Sequence, residues 1–131
     1  MIGVDTSIII DILRKHIVLE KLQNYTHEDL WTSEVVAYEL LYGAYASKEM
    51  TAEKIKYAEA ILDTFITIVP INRKAVIEAA KIGGRLTKQG QMIDHMDILI
   101  AGGLLAHGCK KFLTKDKQDF ERIKELDVLS L

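Results

Sequence analysis

Short apolar runs alternate along this chain with longer amphipathic segments, and the alternation predicts strands alternating with helices. The first apolar run, Ile2-Gly3-Val4, predicts a buried strand that ends at Asp5. Further strands are predicted at residues 30–32, 65–69, 111–114 and 128–131. Helices are predicted within residues 6–15, 17–25, 33–47, 52–63, 72–86, 96–106 and 116–126.

Hydroxyl and amide side chains mark several of the predicted helix starts. Thr6 or Ser7 is the expected N-cap of the first helix, and Ser33 and Asn72 are the expected caps of two later helices. We expect the pair Gly83-Gly84 to weaken the end of its helix, because glycine is a poor helix former. Gly43 and Ala44 are expected to permit close packing of their helix.

The order of these elements predicts an α/β fold with a mostly parallel central sheet. In such sheets, ligands bind outside the carboxyl ends of the strands, near the point where the strand order reverses. Asp5 ends the first predicted strand, and Asp116 lies just beyond the strand at 111–114. Both side chains are therefore expected at the same edge of the sheet.

The length and the net charge of the chain limit the classes of protein to which it can belong. The 131 residues, of which 49% are hydrophobic, predict a single domain spanning residues 1–131. A net charge of −2 argues against a protein that coats nucleic acid, but it allows a nuclease whose basic residues cluster locally. Candidates for such a cluster are Arg14, Lys15, Lys48, Arg73, Lys74, Arg85, Lys88, Lys115 and Lys117.

The cysteine content and the apolar runs bear on the cellular setting. Cys109 is the single cysteine, which excludes an internal disulfide and a cysteine-based zinc site. The first residues contain no basic segment and no small-residue cleavage site, and the apolar runs are too short to cross a bilayer. We therefore expect a cytoplasmic protein that does not contact a membrane.

Four acidic residues occupy positions that favour a shared site: Asp5, Glu39, Asp97 and Asp116. Glu39 and Asp97 stand in apolar surroundings, where an unpaired carboxylate is costly and needs a partner or a metal ion. Carboxylates without accompanying cysteine or histidine suit hard cations such as Mg²⁺ or Mn²⁺. The sequence thus indicates a candidate for metal-assisted phosphodiester chemistry.

Neighbouring polar residues are candidates for supporting roles. Asp94 precedes Asp97 by three residues, so both carboxylates can lie on one side of a helix start, although Asp94 can also serve as a cap. Capping is equally an alternative for Asp116, with Asp119 then in the first turn of its helix. The hydroxyl groups of Thr6, Ser7 and Thr114 are candidates to hydrogen-bond a substrate phosphate or to support the metal ligands.

Taken in order, these segments resemble the PIN-domain family, and most closely the VapC-type toxin ribonucleases of toxin–antitoxin pairs. The resemblance covers nearly the whole chain, and it rests on the order and spacing of the segments together. The segments are Val4-Asp5-Thr6-Ser7, Ile10-Asp11-Ile12-Leu13, Glu39-Leu40-Leu41-Tyr42-Gly43-Ala44, Asp97-Ile98-Leu99-Ile100-Ala101 and Thr114-Lys115-Asp116-Lys117-Gln118-Asp119-Phe120-Glu121-Arg122.

The resemblance implies a three-layer α/β/α sandwich and a ribonuclease that depends on Mg²⁺ or Mn²⁺. On this chain the acidic positions of the family fall on Asp5, Glu39, Asp97 and Asp116. The resemblance also implies a homodimer and a small antitoxin protein whose tail blocks the active site. An apolar face formed by Tyr38, Tyr42 and Tyr45 with Leu41 is a candidate dimer surface, with core packing as the alternative.

This chain departs from the family pattern at two places. Ser7 stands where the family often has asparagine, and Gly102-Gly103 replaces residues that are more often alanine-like. We expect the two glycines to loosen their helix. Neither departure removes an acidic residue, so the predicted activity is unaffected.

Two other functions compete with the ribonuclease. A non-catalytic PIN-like module that binds RNA or protein would have the same fold, so only an activity assay separates it. A phosphoacceptor receiver domain has a similar length and an acidic Mg²⁺ pocket, but it requires an aspartate at the end of a middle strand. A dinucleotide-binding enzyme is disfavoured, because Asp5-Thr6-Ser7 stands where a glycine-rich turn is needed.

Overall fold

Strands and helices alternate in the computed structural model, which describes residues 1–14, 28–65 and 67–130 of the chain. The helix predicted at 17–25 lies outside these residues. The strands are β1 (Ile2–Val4), β2 (Leu30–Ser33), β3 (Thr67–Val69), β4 (Lys111–Leu113) and β5 (Asp127–Leu129). The helices of the described residues are α1 (Thr6–Arg14), α2 (Glu34–Ala46), α3 (Ala52–Leu62), α4 (Arg73–Lys88), α5 (His95–Ala106) and α6 (Lys117–Phe120).

All five described strands run parallel in the order β3-β2-β1-β4-β5. The central strand β1 pairs with β2 on one side, where Ile2 is opposite Leu30, and with β4 on the other, where Val4 is opposite Leu113. This sheet confirms the predicted α/β class. It also argues against the receiver-domain alternative, whose doubly wound sheet has the order 2-1-3-4-5.

The strand order defines the place where a ligand is expected. From β1 the chain moves outward to β2 and β3, and it then returns to β4 and β5 on the other side of β1. Because crossovers between parallel strands are right-handed, the outward and return connections place their helices on opposite faces of the sheet, which gives three layers. The order therefore reverses between β1 and β4, and the crevice lies at their carboxyl ends.

The Gly102-Gly103 pair does not loosen its helix, contrary to expectation. Helix α5 continues without interruption through both glycines, which are buried. A Cβ atom built at Gly102 would lie 2.6 Å from the Cα atom of Ala79 on α4. The absence of a side chain at Gly102 thus lets the two helices approach closely, and this packing offsets the low helix propensity of glycine.

The ends of several other elements also differ from the predictions. Helix α4 passes through Gly83-Gly84 and ends at Lys88, and Arg85 and Lys88 in its last turn suit the negative end of the helix dipole. Strand β3 spans Thr67–Val69, and Phe65, the first residue of the predicted strand, is not part of it.

The last predicted helix is too long. Helix α6 ends at Phe120, and successive turns replace the predicted helix up to residue 126. In these turns the Ile123 N–H donates a hydrogen bond to the backbone carbonyl of Phe120, and the Leu126 N–H donates to the carbonyl of Ile123. Each hydrogen bond thus joins residues three positions apart. Phe120, Ile123 and Leu126 are all buried. Their three-residue spacing therefore buries the same side chains in turns as it would in a helix.

No helix among the described residues is long and apolar enough to cross a bilayer. The longest described helix, α4, has only 16 residues and carries several charged side chains.

Candidate metal centre

Asp5 lies at the carboxyl end of β1, and its side chain is only 5% exposed. One carboxylate oxygen, Oδ1, accepts hydrogen bonds from Ser7 Oγ at 2.6 Å and from the Ile8 N–H at 3.2 Å. The other oxygen, Oδ2, accepts a hydrogen bond from the hydroxyl of Thr114. Burial raises the pKa of Asp5, and these hydrogen bonds oppose the rise.

The bond from Ile8 makes Asp5 the cap of helix α1, which corrects the expectation that Thr6 or Ser7 would fill this position. The helix begins one residue after Asp5, and Ile8 is the third residue of its first turn. Asp5 can take this role because aspartate is among the best N-cap residues. The cap fixes the orientation of the carboxylate and leaves the hydroxyls of Thr6 and Ser7 free for other partners.

Glu39 is partly buried on α2, in the second turn of the helix. Ser33 caps this helix by accepting a hydrogen bond from the Val35 N–H at 3.0 Å, which sets the direction in which α2 leaves the sheet. The hydroxyl of Thr6 on α1 donates to Glu39 Oε1 at 2.8 Å. Because Thr6 directly follows Asp5 in the chain, this hydrogen bond links Glu39 to the segment that carries Asp5.

Asp94 and Asp97 have different roles at the start of α5. Asp94 is exposed and caps the helix by accepting a hydrogen bond from the Met96 N–H at 2.8 Å. Asp97 lies in the first turn and is partly buried. Burial raises the pKa of Asp97 to about 7, and the negative charges of Asp94, Asp5, Glu39 and Asp116 add to the rise.

Asp116 and Asp119 flank the start of α6. Asp116 stands at the N-cap position but makes no capping hydrogen bond through its side chain, so its carboxylate remains available. Desolvation raises the pKa of Asp116, and the charge of Asp119 adds to that rise. Asp97, Asp116 and Asp119 each offer a carboxylate oxygen, and these oxygens all lie within 4.8 Å of one another.

The structure therefore brings most of the predicted residues to one edge of the sheet. The three mutually close carboxylates include Asp119, which was expected only in a supporting role. Asp5 and Glu39 lie close enough to raise the pKa of Asp97 but stand outside that group. The sequence feature that could have marked Asp119 as a member of this group is its three-residue spacing from Asp116, which is also the spacing between Asp94 and Asp97.

In the structure, each of the three hydroxyls that were candidates for phosphate contacts donates a hydrogen bond to a carboxylate. Thr6 donates to Glu39, whereas Ser7 and Thr114 donate to Asp5. In this arrangement they orient acidic side chains by hydrogen bonds, as groups around metal ligands commonly do.

The donor set fits a hard divalent cation. Every side chain of the three-carboxylate group offers oxygen, the ligand that Mg²⁺ and Mn²⁺ prefer. Among the ion pairs of the described residues, Asp119 has Arg122 at 4.0 Å, and none involves Asp97 or Asp116. Mutual repulsion of these carboxylates is thus only weakly compensated within the described chain, and a bound cation would relieve it.

This combination of a parallel sheet with a carboxylate cluster at its switch point defines an α/β protein suited to metal-assisted chemistry on phosphate esters. The family model for the PIN domain matches residues 2–126. The chain belongs to the PIN domain family.

Named relatives and solved structures agree with this assignment. Ribonuclease VapC1 of Rickettsia felis is 32% identical over 130 residues, which cover 98% of this chain and 94% of the relative. Ribonuclease VapC1 of Methanocaldococcus jannaschii is 31% identical over 128 residues, which cover 95% of this chain and 82% of the relative.

Two solved complexes contain a chain with this fold. One is VapBC2 from Rickettsia felis bound to a DNA fragment from their promoter, with a TM-score of 0.85, 24% identity, and coverage of 100% of this chain and 99% of the other. The second is VapBC-1 from nontypeable Haemophilus influenzae, with a TM-score of 0.81, 25% identity, and coverage of 99% and 98%.

Proposed function

We propose that this chain is an endoribonuclease that depends on Mg²⁺ or Mn²⁺ and acts as the toxin of a toxin–antitoxin pair. The observation that carries the proposal is the group of Asp97, Asp116 and Asp119, whose carboxylate oxygens lie within 4.8 Å of one another. Relatives named ribonuclease VapC support RNA as the substrate. The proposal treats residues 1–131 as one nuclease domain.

In this proposal Asp97, Asp116 and Asp119 hold the cation, with Asp5 and Glu39 completing the negative site around them. A divalent cation held by such carboxylates supplies a nucleophilic water near neutral pH and stabilises the charge that develops on the phosphate oxygens. Mg²⁺ retains several water ligands, so a small number of direct carboxylate contacts is sufficient.

The residues of the chain prepare this site in two ways. Asp97, with a pKa raised to about 7, holds a proton in the metal-free protein at acidic pH and releases it as the site is loaded. Ser7 and Thr114 fix both oxygens of Asp5, and Thr6 fixes Glu39, so little reorganisation is needed.

A cleavage assay with Asp97→Asn tests the proposal. The substrate is a mixed set of structured and single-stranded RNAs, with Mn²⁺ or with EDTA. We expect the wild type to release fragments with Mn²⁺ but not with EDTA, and Asp97→Asn to release none, because asparagine keeps the shape of the side chain but removes its charge. Asp63→Asn, at an exposed helix end, is the matched control and should cleave normally. Equal cleavage by Asp97→Asn would show that the active site lies elsewhere.

The same assay separates the ribonuclease from the non-catalytic alternative. A binding module would retain RNA on a filter or in a gel shift but release no fragments with any metal. The lack of fragments from every RNA, together with RNA binding that survives Asp97→Asn, would support that module instead.

We also propose that the antitoxin occupies a groove beside the carboxylate cluster. The groove encloses about 300 Å³ and is lined largely by apolar residues of α1, α2 and α3. Glu39 also lines it, so a segment seated there lies next to the proposed active site. VapBC complexes among the solved structures support a partner of this kind.

Gly43 provides a test of the groove. It was expected to permit close packing, but no heavy atom lies within 4 Å of a Cβ built there, so the residue faces open groove. Gly43→Phe should therefore fill the groove without disturbing the fold. We expect this variant to lose co-purification with the proposed antitoxin, whereas Gly84→Phe, also on open surface, should keep it.

For the homodimer, we propose the tyrosine face formed by Tyr38, Tyr42 and Tyr45. These side chains are 57–60% exposed, so core packing does not account for them, whereas Leu41 packs against the core. The ring centroids of Tyr38 and Tyr42 lie 5.8 Å apart, so these two side chains form one aromatic patch. Light scattering should show a monomer for Tyr42→Lys and a dimer for the equally exposed control Tyr57→Lys.

A further inference from the structure

An ion pair outside the proposed metal ligands joins the loop after β4 to helix α1. Lys115 Nζ lies 2.7 Å from Asp11 Oδ2, and the Asp11 side chain is only 16% exposed. The Lys115 N–H also donates to Ser7 Oγ at 3.2 Å. Ser7 and Asp11 are one helical turn apart on α1, so Lys115 is attached to this helix at two successive positions.

The same loop is linked to the Asp5 carboxylate through two hydroxyls, that of Ser7 on α1 and that of Thr114 in the loop itself. Ser7 and Thr114 each donate to one oxygen of Asp5. Each hydroxyl also accepts a backbone N–H from the loop, Ser7 from Lys115 at 3.2 Å and Thr114 from Asp116 at 2.9 Å. The position of the loop therefore contributes, together with the hydrogen bond from the Ile8 N–H, to the orientation of Asp5, and it sets the start of the segment that carries Asp116 and Asp119.

We propose that Asp11 and Lys115 form a positioning pair that fixes the carboxylates of Asp5 and Asp116 relative to each other. This inference rests on the proposed metal site. A half-exposed ion pair contributes little to global stability, so its effect should appear locally, in the affinity of the site for its cation. The rival role for Lys115 is a direct contact with an RNA phosphate.

The sign of the effect on metal affinity separates positioning from simple electrostatics. If the pair affected the site only through its charges, Asp11→Asn would weaken cation binding and Lys115→Met would strengthen it, because the two substitutions remove opposite charges. If the pair acts by positioning the loop, both substitutions loosen the same loop and both weaken cation binding. We expect each to weaken Mn²⁺ binding by roughly three- to fivefold, and the double variant to be no weaker than either single one.

The experiment is a Mn²⁺ titration by calorimetry, followed by RNA cleavage kinetics at saturating Mn²⁺. Glu28→Gln and Lys111→Met are matched controls, because Lys111 Nζ pairs with Glu28 Oε1 at 2.6 Å at the other end of β4. These controls should leave Mn²⁺ affinity unchanged. Lys115→Arg should largely restore it, since arginine retains the charge and can reach Asp11. At saturating Mn²⁺ we expect the KM for RNA to match the wild type in both single variants.

Three results would overturn the proposal. Mn²⁺ affinity that is unchanged in both single variants, or that shifts in opposite directions, would exclude positioning. A higher KM for RNA in Lys115→Met alone, with unchanged Mn²⁺ affinity, would assign Lys115 to RNA contact. A wild-type protein that binds no Mn²⁺ would overturn the proposed function itself, which distinguishes that failure from a failure of the positioning pair alone.

Discussion

Replacing Asp97 by asparagine should stabilise the metal-free protein at neutral and basic pH. Burial and four neighbouring acids raise the pKa of Asp97 from 3.8 to about 7. A pKa difference of roughly three corresponds to about 4 kcal/mol between the two protonation states. Solvent screening of this partly buried carboxyl reduces the expected gain to about 2 kcal/mol, or about 6 °C in Tm.

The sign of the pH dependence follows from proton binding. Between the unfolded pKa of 3.8 and the folded pKa of about 7, the folded protein holds a proton on Asp97 that the unfolded chain has lost. Wild-type stability therefore falls as pH rises through this interval. Above the folded pKa, where Asp97 is ionised in the folded protein, the loss of folding stability is complete. The advantage of Asp97→Asn should be complete at about pH 8 and about a third as large at about pH 5.

Urea unfolding in EDTA at these two pH values measures the effect. Asp63→Asn, at an exposed position, should change stability by no more than about 0.5 kcal/mol at either pH. With saturating Mn²⁺ the wild type should become more stable than Asp97→Asn, because the cation stabilises only the protein that binds it. An Asp97→Asn variant that is less stable than the wild type in EDTA at about pH 8 would refute the argument that charge repulsion and burial strain this site.

Substitutions at three further positions test the packing and the hydrogen bonds of the structure. Gly102→Ala should lower stability by about 2–3 kcal/mol in thermal unfolding, because its Cβ would overlap Ala79; a wild-type Tm would contradict the close helix contact. Gly84→Ala, on open helix surface, should instead raise stability by about 0.5–1 kcal/mol. Thr114→Val removes a hydroxyl donor from buried Asp5, so calorimetry should show Mn²⁺ affinity reduced at least about tenfold, while Thr114→Ser should bind nearly as the wild type does.

The parallel fold was predictable because its signals are local. Ile2-Gly3-Val4 and the other apolar runs are short and bounded by polar residues, which identifies buried strands. Once the strands are parallel, a residue at a strand end is expected at one edge of the sheet, and this reasoning places Asp5 and Asp116 together. The PIN-domain assignment predicted from the order of the motifs is confirmed by the family model.

The features that sequence reasoning missed depend on contacts between distant segments. The end of α6 was misjudged because buried residues three apart fit a helix and a series of turns equally well. Gly102 was judged by helix propensity, whereas its packing against Ala79 on another helix decides its effect. Thr114 orients Asp5 across 109 positions of sequence, a contact that no local pattern reveals.

The most direct test of the proposed site is the rate of RNA cleavage as a function of Mn²⁺ concentration, compared between the wild type and Asp119→Asn. Asp119 is the member of the carboxylate group that we propose as a ligand from its geometry alone. If this group holds the catalytic cation, the half-saturating Mn²⁺ concentration should rise about tenfold or more in the variant. Superimposable curves for the two proteins would contradict the assignment of Asp97, Asp116 and Asp119 as the metal centre.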